Sequence, residues 1–242
     1  MTELIRLNKF LSDQGICSRR AADEHILAGK VVVDGEKAYL GQKVDPDEQE
    51  IIFNNQKINL AIEDKIYYAL YKPKGVVSTA IDEMGRKSVV DLVPKTPRVY
   101  PVGRLDKDSE GLILLTNDGE LTNILTHPKN KHEKEYQVIV RSSERVTENN
   151  SEISKQFLGG IIIDNHLMKA DKINIKYLTP NSLQLTIIIH TGYNRQIRKM
   201  CAKMGLEVIK LLRIRIANLF LDSLNIQPGQ FKKVKRTDIL NT

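Results

Sequence analysis

Residues 102–121 have the sequence VGRLDKDSEGLILLTNDGEL, in which a cluster of ionisable side chains stands directly before an uncharged run. The cluster consists of Arg104, Asp106, Lys107, Asp108 and Glu110, and the run is GLILLT. A short apolar run of this kind predicts a strand buried on both faces. Asp106 is then expected in a loop at the sheet edge, where a partly desolvated carboxylate stays ionised only if a cation and hydrogen bonds hold it. The alternative is a solvated turn, whose local ion pairs contribute roughly 0–1 kcal/mol each.

A second group of cations stands at the start of a predicted helix over residues 194–204, in the segment HTGYNRQIRKMCAKMG. Its apolar stripe at positions i, i+3, i+4 and i+7 consists of Ile197, Met200, Cys201 and Met204, and should face the core. Arg195 and Arg198 fall near the first turn, where the positive end of the helix dipole disfavours cations. A solvated basic helix is one interpretation. The other is that a carboxylate or phosphate groups compensate these arginines.

Strand and helix patterns follow one another irregularly between residue 66 and the C-terminus. The predicted strands are IYYALY, VVST, GLILLT, EYQVIV, KINIKYL, SLQLTIIIH and EVIKLLRIRIANLFL, and the predicted helices cover 119–126, 146–157 and 194–204. Because there is no regular βαβ alternation, these patterns predict an α+β domain with a largely antiparallel sheet. The pattern restarts around residues 58–65, which divides the chain into a domain of residues 1–60 and a domain of residues 61–242.

The first 60 residues predict a small, helix-rich domain. LIRLNKFLSDQ and SRRAADEHILA have helical spacing, with Ser18 as N-cap of the second helix and Gly29 just after its end. Asp34-Gly35 then predicts a tight hairpin. The candidate phosphate-binding residues near the ends of these elements are Arg6, Lys9, Arg19, Arg20 and Lys30. The alternative is a capping subdomain with ordinary surface arginines.

Charge is distributed unevenly along the 242 residues, which carry +7 in total. Residues 1–60 hold eight basic and ten acidic residues, whereas residues 190–242 hold eleven basic and three acidic ones. A localised basic field favours a polyanion such as nucleic acid, although a merely lysine-rich surface is the alternative. Cys17 and Cys201 support neither a disulfide framework nor a zinc site. The chain has no membrane-length apolar run, signal peptide or phosphate loop, so we expect a cytoplasmic protein that is not driven by a nucleotide.

Two resemblances follow from these motifs. LNKFLSDQGICSRRAADEHILAGKVVVDGE resembles the S4 RNA-binding module. Behind it, in order, KPKGVVST, VYPVGRLDKDSEGLILLTNDGEL, HEKEYQV, GYNRQIRKM and KLLRIRIANL resemble the RsuA/Rlu family of ribosomal RNA pseudouridine synthases, especially its RluB/RluE/RluF-like branch. The resemblance implies a central mixed sheet with flanking helices and a cleft between two halves.

The resemblance also implies a reaction and its residues. A uridine in structured RNA is converted to its C-glycoside isomer without cofactor or metal, and Asp106 is the nucleophile, acting at C1′ of the sugar or at C6 of the base. Arg198 is its ion-pair partner, and Tyr136, which shares a strand face with Lys134, stacks on the extruded uracil. The implied RNA contacts in this domain are Arg104, Lys134, Arg195, Lys199, Lys210, Arg213 and Arg215.

The motifs favour large-subunit (23S) ribosomal RNA as the substrate, and a monomer is the simplest expectation for the oligomeric state. Small-subunit ribosomal RNA or a tRNA is the alternative substrate. The competing class of protein is an RNA-binding or ribosome-assembly factor without catalysis. The joint presence of Asp106, Tyr136 and Arg198 favours the enzyme.

Overall fold

The structure is a computed structural model that describes residues 4–58, 64–143 and 151–240. The chain divides into two compact units. The first comprises Met1–Lys65 with Asn117–Gly119, and the second comprises Ile66–Thr116 with Glu120–Thr242. The domain boundary predicted between residues 60 and 61 lies outside the described residues.

The first unit combines two short helices with short strands. Its elements are β1 (Ile5–Arg6), α1 (Leu7–Asp13), α2 (Arg19–Leu27), β2 (Val31–Val33), β3 (Glu36–Lys37), β4 (Lys43–Val44), β5 (Ile51–Phe53) and β6 (Gln56–Lys57). Strands β3, β2, β5 and β6 form an antiparallel sheet in that order, and β1 pairs with β4. Apolar side chains of both helices and of the sheet form one buried cluster.

Local signals explain most of this unit. The Ser18 hydroxyl accepts a hydrogen bond from the backbone N–H of Ala21 at 3.2 Å, which confirms the predicted N-cap of α2. Asp34 and Gly35 have φ angles of 51° and 85°, as a two-residue hairpin turn requires. Helix α1 begins at Leu7 rather than at residue 4, because the preceding residues pair with β4 instead.

The second unit is built around a large sheet. Its elements are β7 (Tyr67–Lys72), β8 (Tyr100–Val102), β9 (Glu110–Thr116), α3 (Gly119–Thr126), β10 (Lys134–Ser142), α4 (Ser151–Gly159), β11 (Ile161–Ile163), β12 (His166–Met168), β13 (Lys172–Thr179), β14 (Ser182–Ile189), α5 (Gln196–Lys203), β15 (Leu206–Ile216), β16 (Leu219–Phe220), β17 (Phe231–Lys233) and α6 (Arg236–Ile239). Strands β11 and β12 form a separate hairpin.

The sheet order is β13-β14-β10-β15-β9-β7-β17, with β16 beside β15 and β8 beside β9. Among the strands that the structure describes in this sheet, β9 and β15 form the one parallel pair. This arrangement confirms the predicted α+β fold with a mixed, mostly antiparallel sheet and flanking helices. The parallel pair joins an antiparallel group on either side of it, and β9 carries the ionisable cluster at its N-terminal end.

Strand β9 is buried on both faces, as predicted. Ile113 and Leu115 pack into the cluster on one side of the sheet, and Leu112 and Leu114 pack into the cluster on the other side. Gly111 lies against β15 so closely that an added Cβ would come within 2.3 Å of the carbonyl oxygen of Arg213. The centre of the sheet therefore leaves no room for a side chain at that position.

Three predicted elements differ from the observed ones. VVST, residues 76–79, is not a strand: Val77 forms an isolated bridge to Ser88. The segment 207–221 is two strands rather than one, because the chain turns at Ala217, whose φ is 48°. Helix α4 covers Ser151–Gly159, whereas residues 146–150 of the predicted helix lie outside the described residues.

Candidate active site

The loop that carries Asp106 joins β8 to β9 and is fixed from two sides. The hydroxyl of Ser78 donates to the carbonyl of Leu105 at 2.8 Å and accepts from its backbone N–H at 3.1 Å. The backbone N–H of Ser109 donates to the carbonyl of Asp106 at 3.1 Å. These bonds hold the backbone on both sides of Asp106, so the carboxylate has a defined position at the sheet edge.

Lys72 lies beneath the same loop and is fully buried. Its ammonium donates to the carbonyl oxygens of Ser109 at 2.7 Å and Pro73 at 3.1 Å, and lies 3.5 Å from that of Lys107. Burial lowers the pKa of Lys72 to about 8, although the carboxylates of Asp108 and Asp106 oppose this shift. From inside the protein, the Lys72 ammonium therefore holds the backbone of this loop in place through hydrogen bonds to its carbonyl oxygens.

Arg195 is the cation that faces the carboxylates of the loop. It donates from both terminal nitrogens to the two carboxylate oxygens of Asp108, each at 3.1 Å. Its Nη1 also lies 4.0 Å from an Asp106 oxygen. The hydrogen bond from Arg195 holds the pKa of Asp108 below its usual range.

Arg198 faces the same loop one turn further along α5. Its Nη2 donates to the backbone carbonyl of Asp108 at 3.0 Å, and its Nε lies 3.6 Å from an Asp108 carboxylate oxygen. The expected direct pair between Arg198 and Asp106 is therefore corrected: both arginines contact Asp108, and Arg195 is the nearer to Asp106. Arg195 is the N-cap of α5, with a left-handed backbone conformation (φ 51°), and so stands ahead of Arg198 at the start of the helix. The cations at the helix start do have a carboxylate partner.

A small cavity of about 80 Å³ brings together the three residues predicted to be catalytic. Asp106, Tyr136 and Arg198 all line it, with Tyr136 8% exposed on β10. The remaining lining residues are Arg104, Leu105, Ser109, Ile189, Gly192, Tyr193, Arg195, Gln196, Ile197 and Leu211. A carboxylate, two tyrosine rings and three guanidinium groups in one partly enclosed cavity form a site suited to a planar, polar ring.

A larger groove of about 470 Å³ adjoins this cavity, because Arg104, Leu105 and Asp106 line both. The other wall of the groove comes from the segment between β7 and β8, including Thr79, Ile81, Met84 and Arg86. Arg104 is exposed at this junction. Asp106 is thus accessible both from the groove and from the cavity.

Two of the predicted RNA contacts are corrected by their burial. Arg213 is 3% exposed, and its Nε donates to the carbonyl of Leu112 at 2.7 Å. Lys134 is part-buried and donates to the carbonyl of His190 at 3.1 Å. Burial, together with the charge of Arg213, lowers the pKa of Lys134 to about 8. Both cations support the interior of the sheet instead of its surface.

Three further predicted contacts are paired with carboxylates of the protein. Arg215 donates to Glu135 at 2.8 Å and to Glu133 at 2.9 Å, and is 11% exposed. Lys199 donates to Asp164, and the Lys210 ammonium lies 3.9 Å from Glu110. Arg215 is therefore corrected to an internal structural role, whereas the more exposed Lys199 and Lys210 remain accessible.

The predicted RNA-binding residues of the first unit lie on its surface. All five are exposed: Arg6, Lys9, Arg19, Arg20 and Lys30. Lys9 also lies 3.2 Å from Asp13 in an i,i+4 pair. Arg19 and Arg20 form the first turn of α2, which leaves their guanidinium groups open to solvent.

Sequence reasoning missed three residues that build the site: Lys72, Ser78 and Gln196. A lysine at the end of the apolar strand IYYALYK was a signal that went unused, because a charge in such a place needs partners. Gln196 is 3% exposed, and its amide accepts from the hydroxyl of Thr191 at 2.9 Å. No local pattern distinguishes Ser78 or Gln196 from ordinary polar residues.

The described residues contain neither a metal-binding cluster nor a membrane-spanning helix. Across residues 4–58, 64–143 and 151–240, no group of three or more His, Cys, Asp or Glu side chains is arranged to hold a metal ion. In the same part of the chain, no helix has both the length and the apolar character needed to span a membrane.

Comparison with known proteins gives consistent matches. The family model described as RNA pseudouridylate synthase matches residues 66–203, and the S4 domain model matches residues 5–49. The chain is 40% identical to the dual-specificity RNA pseudouridine synthase RluF of Escherichia coli K12, over 98% of this chain and 78% of that protein. It is 39% identical to the ribosomal large subunit pseudouridine synthase B of Bacillus subtilis, over 95% of each. A solved structure titled "Crystal structure of pseudouridylate synthase" matches with a TM-score of 0.64 and 28% identity, over 97% of this chain and 98% of that one.

Proposed function

This chain belongs to the RNA pseudouridylate synthase family and is an RNA pseudouridine synthase with an S4 domain, and from this premise we propose that it isomerises a specific uridine of large-subunit (23S) ribosomal RNA with Asp106 as nucleophile. The observation that carries the proposal is the position of Asp106. Its carboxylate lines both the inner cavity and the outer groove, so a base that enters the cavity from RNA in the groove passes it.

The chemistry proceeds without a cofactor. The uridine leaves its stack and enters the cavity, where Asp106 attacks either C1′ of the ribose or C6 of the base. The N1–C1′ bond breaks, the uracil turns, and C5 bonds to C1′. After attack at C1′, the bond between Asp106 and C1′ breaks as C5 joins C1′; after attack at C6, the bond between Asp106 and C6 breaks once C5 is joined to C1′. Either cleavage regenerates the carboxylate. C5 loses its proton and N1 gains one, so the product is an isomer of the substrate. Both modes of attack fit one carboxylate, and the proposal leaves the choice between them open.

The neighbouring residues have distinct tasks in this proposal. Tyr136 stacks on the detached uracil and limits its movement during the turn. Arg195 and Arg198, held by Asp108, keep positive charge beside Asp106 in a cavity that the base closes to water.

We propose that cations at the groove and on the surface of each unit bind the RNA phosphates. Arg104 at the groove, Lys199 and Lys210 on the second unit, and the arginines at the start of α2 are the proposed phosphate contacts. Structured RNA suits this chain better than an extended single strand, because only 5% of its residues are aromatic. We place the enzyme in the cytoplasm, where its proposed substrate lies, and propose that it acts as a monomer.

Large-subunit RNA is favoured because the similar protein of Bacillus subtilis, which matches this chain over 95% of its length, is named a ribosomal large subunit pseudouridine synthase. Small-subunit ribosomal RNA and tRNA are the alternative substrates. A non-catalytic assembly factor is the competing class, and the cavity opposes it, because a binding protein has no need to bring Asp106, Tyr136 and Arg198 together.

The test maps pseudouridine by carbodiimide primer stops in ribosomal RNA from cells with and without this protein. We expect one large-subunit site to disappear, and to return with the wild-type protein and with Glu207→Gln, an exposed carboxylate variant outside the cavity. Asp106→Asn should not restore it. Restoration by Asp106→Asn would refute the nucleophile. No lost site in ribosomal RNA would point to tRNA, and an absence there as well would favour the assembly factor.

A further inference from the structure

Tyr193 stands at the open side of the cavity. It lies in the loop between β14 and α5, lines the cavity together with Asp106 and Tyr136, and is 39% exposed, whereas Tyr136 is buried. The cavity therefore has two aromatic rings: the buried ring of Tyr136, called the inner ring, and the exposed ring of Tyr193, called the outer ring. The proposed function gives Tyr136 a role in stacking on the uracil, but it gives no role to Tyr193.

One face of the Tyr193 ring is already supported. The ring of His166 stacks on it with 4.9 Å between the centroids and 19° between the planes. His166 begins β12, in the hairpin whose turn residue Asp164 accepts a hydrogen bond from Lys199 on α5. The β11–β12 hairpin therefore backs the outer ring and is itself attached to the helix that carries Arg198.

The loop backbone holds Tyr193 in place. The buried side chain of Gln196 accepts a hydrogen bond from the backbone N–H of Tyr193 at 3.3 Å, and its own backbone N–H donates to the Tyr193 carbonyl at 3.2 Å. The side-chain amide of Gln196 also donates to the carbonyl of Lys169 at 3.4 Å. An aromatic ring fixed in this way loses little conformational freedom when a second planar group stacks on it.

We propose that Tyr193, backed by His166, stacks against a nucleobase that flanks the target uridine. The inference rests on the proposed function, since it assumes that RNA lies in the groove with one base extruded into the cavity. Extrusion leaves the neighbouring base without its stacking partner, and aromatic side chains commonly take that place in RNA recognition. Arg195 and Lys199, on the same loop and helix, supply cations for the phosphates of this nucleotide.

The first test separates binding from chemistry with protein-free large-subunit ribosomal RNA as substrate. Tyr193→Leu should raise KM about tenfold, the effect expected when one base–aromatic stack is lost, with a much smaller change in kcat. Tyr193→Phe keeps the ring, so its KM should stay closer to the wild-type value. The matched control is Phe220→Leu, an exposed aromatic residue on β16 that does not line the cavity, for which we expect no change. An unchanged KM for Tyr193→Leu, or a fall in kcat alone, would overturn the inference.

A double substitution tests the role of His166. If His166 acts by supporting the Tyr193 ring, His166→Ala raises KM by less than Tyr193→Leu does, and the double variant is no worse than Tyr193→Leu. Additive effects of the two substitutions would overturn the supporting role, because they would mean that each residue contacts RNA independently.

A binding assay decides the inference even if the proposed reaction fails. The chain contains no tryptophan, so Tyr193→Trp introduces a single reporter. In an Asp106→Asn background, its fluorescence should be quenched when ribosomal RNA binds, whereas Phe220→Trp should respond weakly. Quenching without pseudouridine formation by the wild-type enzyme would contradict the reaction but support the stack. If ribosomal RNA does not bind at all, tRNA is titrated in its place. Binding without quenching would refute the stack whatever the reaction.

Discussion

Lys72→Met is the perturbation whose consequence follows most directly from the structure. The Lys72 ammonium is fully buried beneath the Asp106 loop, and burial lowers its pKa from 10.5 to about 8. Between pH 8 and pH 10.5 the unfolded chain therefore keeps a proton that the folded chain has released. Since stability rises with pH wherever the unfolded state binds more protons, this lysine makes the folded protein relatively more stable as pH rises through that window.

The magnitude follows from the pKa difference. Each unit corresponds to 1.36 kcal/mol, so the buried charge costs about 3 kcal/mol of folding free energy at neutral pH. About 2 kcal/mol of that cost is relieved between pH 7 and pH 9.5. Lys134, whose pKa is also about 8, adds a similar term in the wild type and in Lys72→Met, and thus cancels when the two are compared.

Urea unfolding at pH 7 and pH 9.5, followed by circular dichroism, measures this difference. We expect the change in the free energy of unfolding between the two pH values to be about 2 kcal/mol more favourable for the wild type than for Lys72→Met. Lys176→Met, at an exposed position on the edge strand β13, is the control and should behave as the wild type does. If the free energy of unfolding of Lys72→Met kept the wild-type pH dependence, Lys72 would not be a buried cation with a lowered pKa.

Three further predictions concern the sheet, the loop and the first unit. Gly111→Ala should lower the free energy of unfolding by about 2–4 kcal/mol, because its Cβ would meet the β15 backbone. Gly75→Ala adds a Cβ in open space and should lower the free energy of unfolding by about 1 kcal/mol. Chemical denaturation of both variants measures the difference. Asp108→Asn should lower kcat at least about tenfold, since Arg195 and Arg198 lose the carboxylate that positions them, and Glu207→Gln, at an exposed position outside the cavity, is the kinetic control. Replacing Arg19 and Arg20 with alanine should reduce the slope of log affinity for RNA against log salt concentration by about 1–2, and an unchanged slope would exclude both as phosphate contacts.

Sequence patterns predicted the elements whose signals are local. The uncharged run of β9 favours burial on both faces, and the apolar stripe of α5 favours burial of one face. The structure confirms both predictions. VVST failed as a strand because two apolar residues followed by two polar ones are equally compatible with a loop that lines a groove. Long-range pairing decides between a strand and a loop at this position, and a local sequence pattern gives no information about such pairing.

The basic residues of β15 show the same limit more clearly. The resemblance implies RNA contacts at Lys210, Arg213 and Arg215 of β15, a strand that lies between β10 and β9 in the sheet. Arg213 is accordingly buried against Leu112, and Arg215 is held by Glu133 and Glu135. Those carboxylates are some 80 residues away in the chain, and only the fold brings them to the arginine.

In the proposed mechanism, the tasks of a single carboxylate are divided between Asp106 and Asp108. Asp108 receives the hydrogen bonds of Arg195 and lies against Arg198, so it fixes the cations. Within the part of the chain that the structure describes, the Asp106 carboxylate accepts no hydrogen bond and has Arg195 4.0 Å away. A nucleophile bonded directly to arginine would have to break that bond before it attacked. The second carboxylate removes this requirement, because it keeps positive charge beside Asp106 and leaves the Asp106 oxygens free to face the cavity.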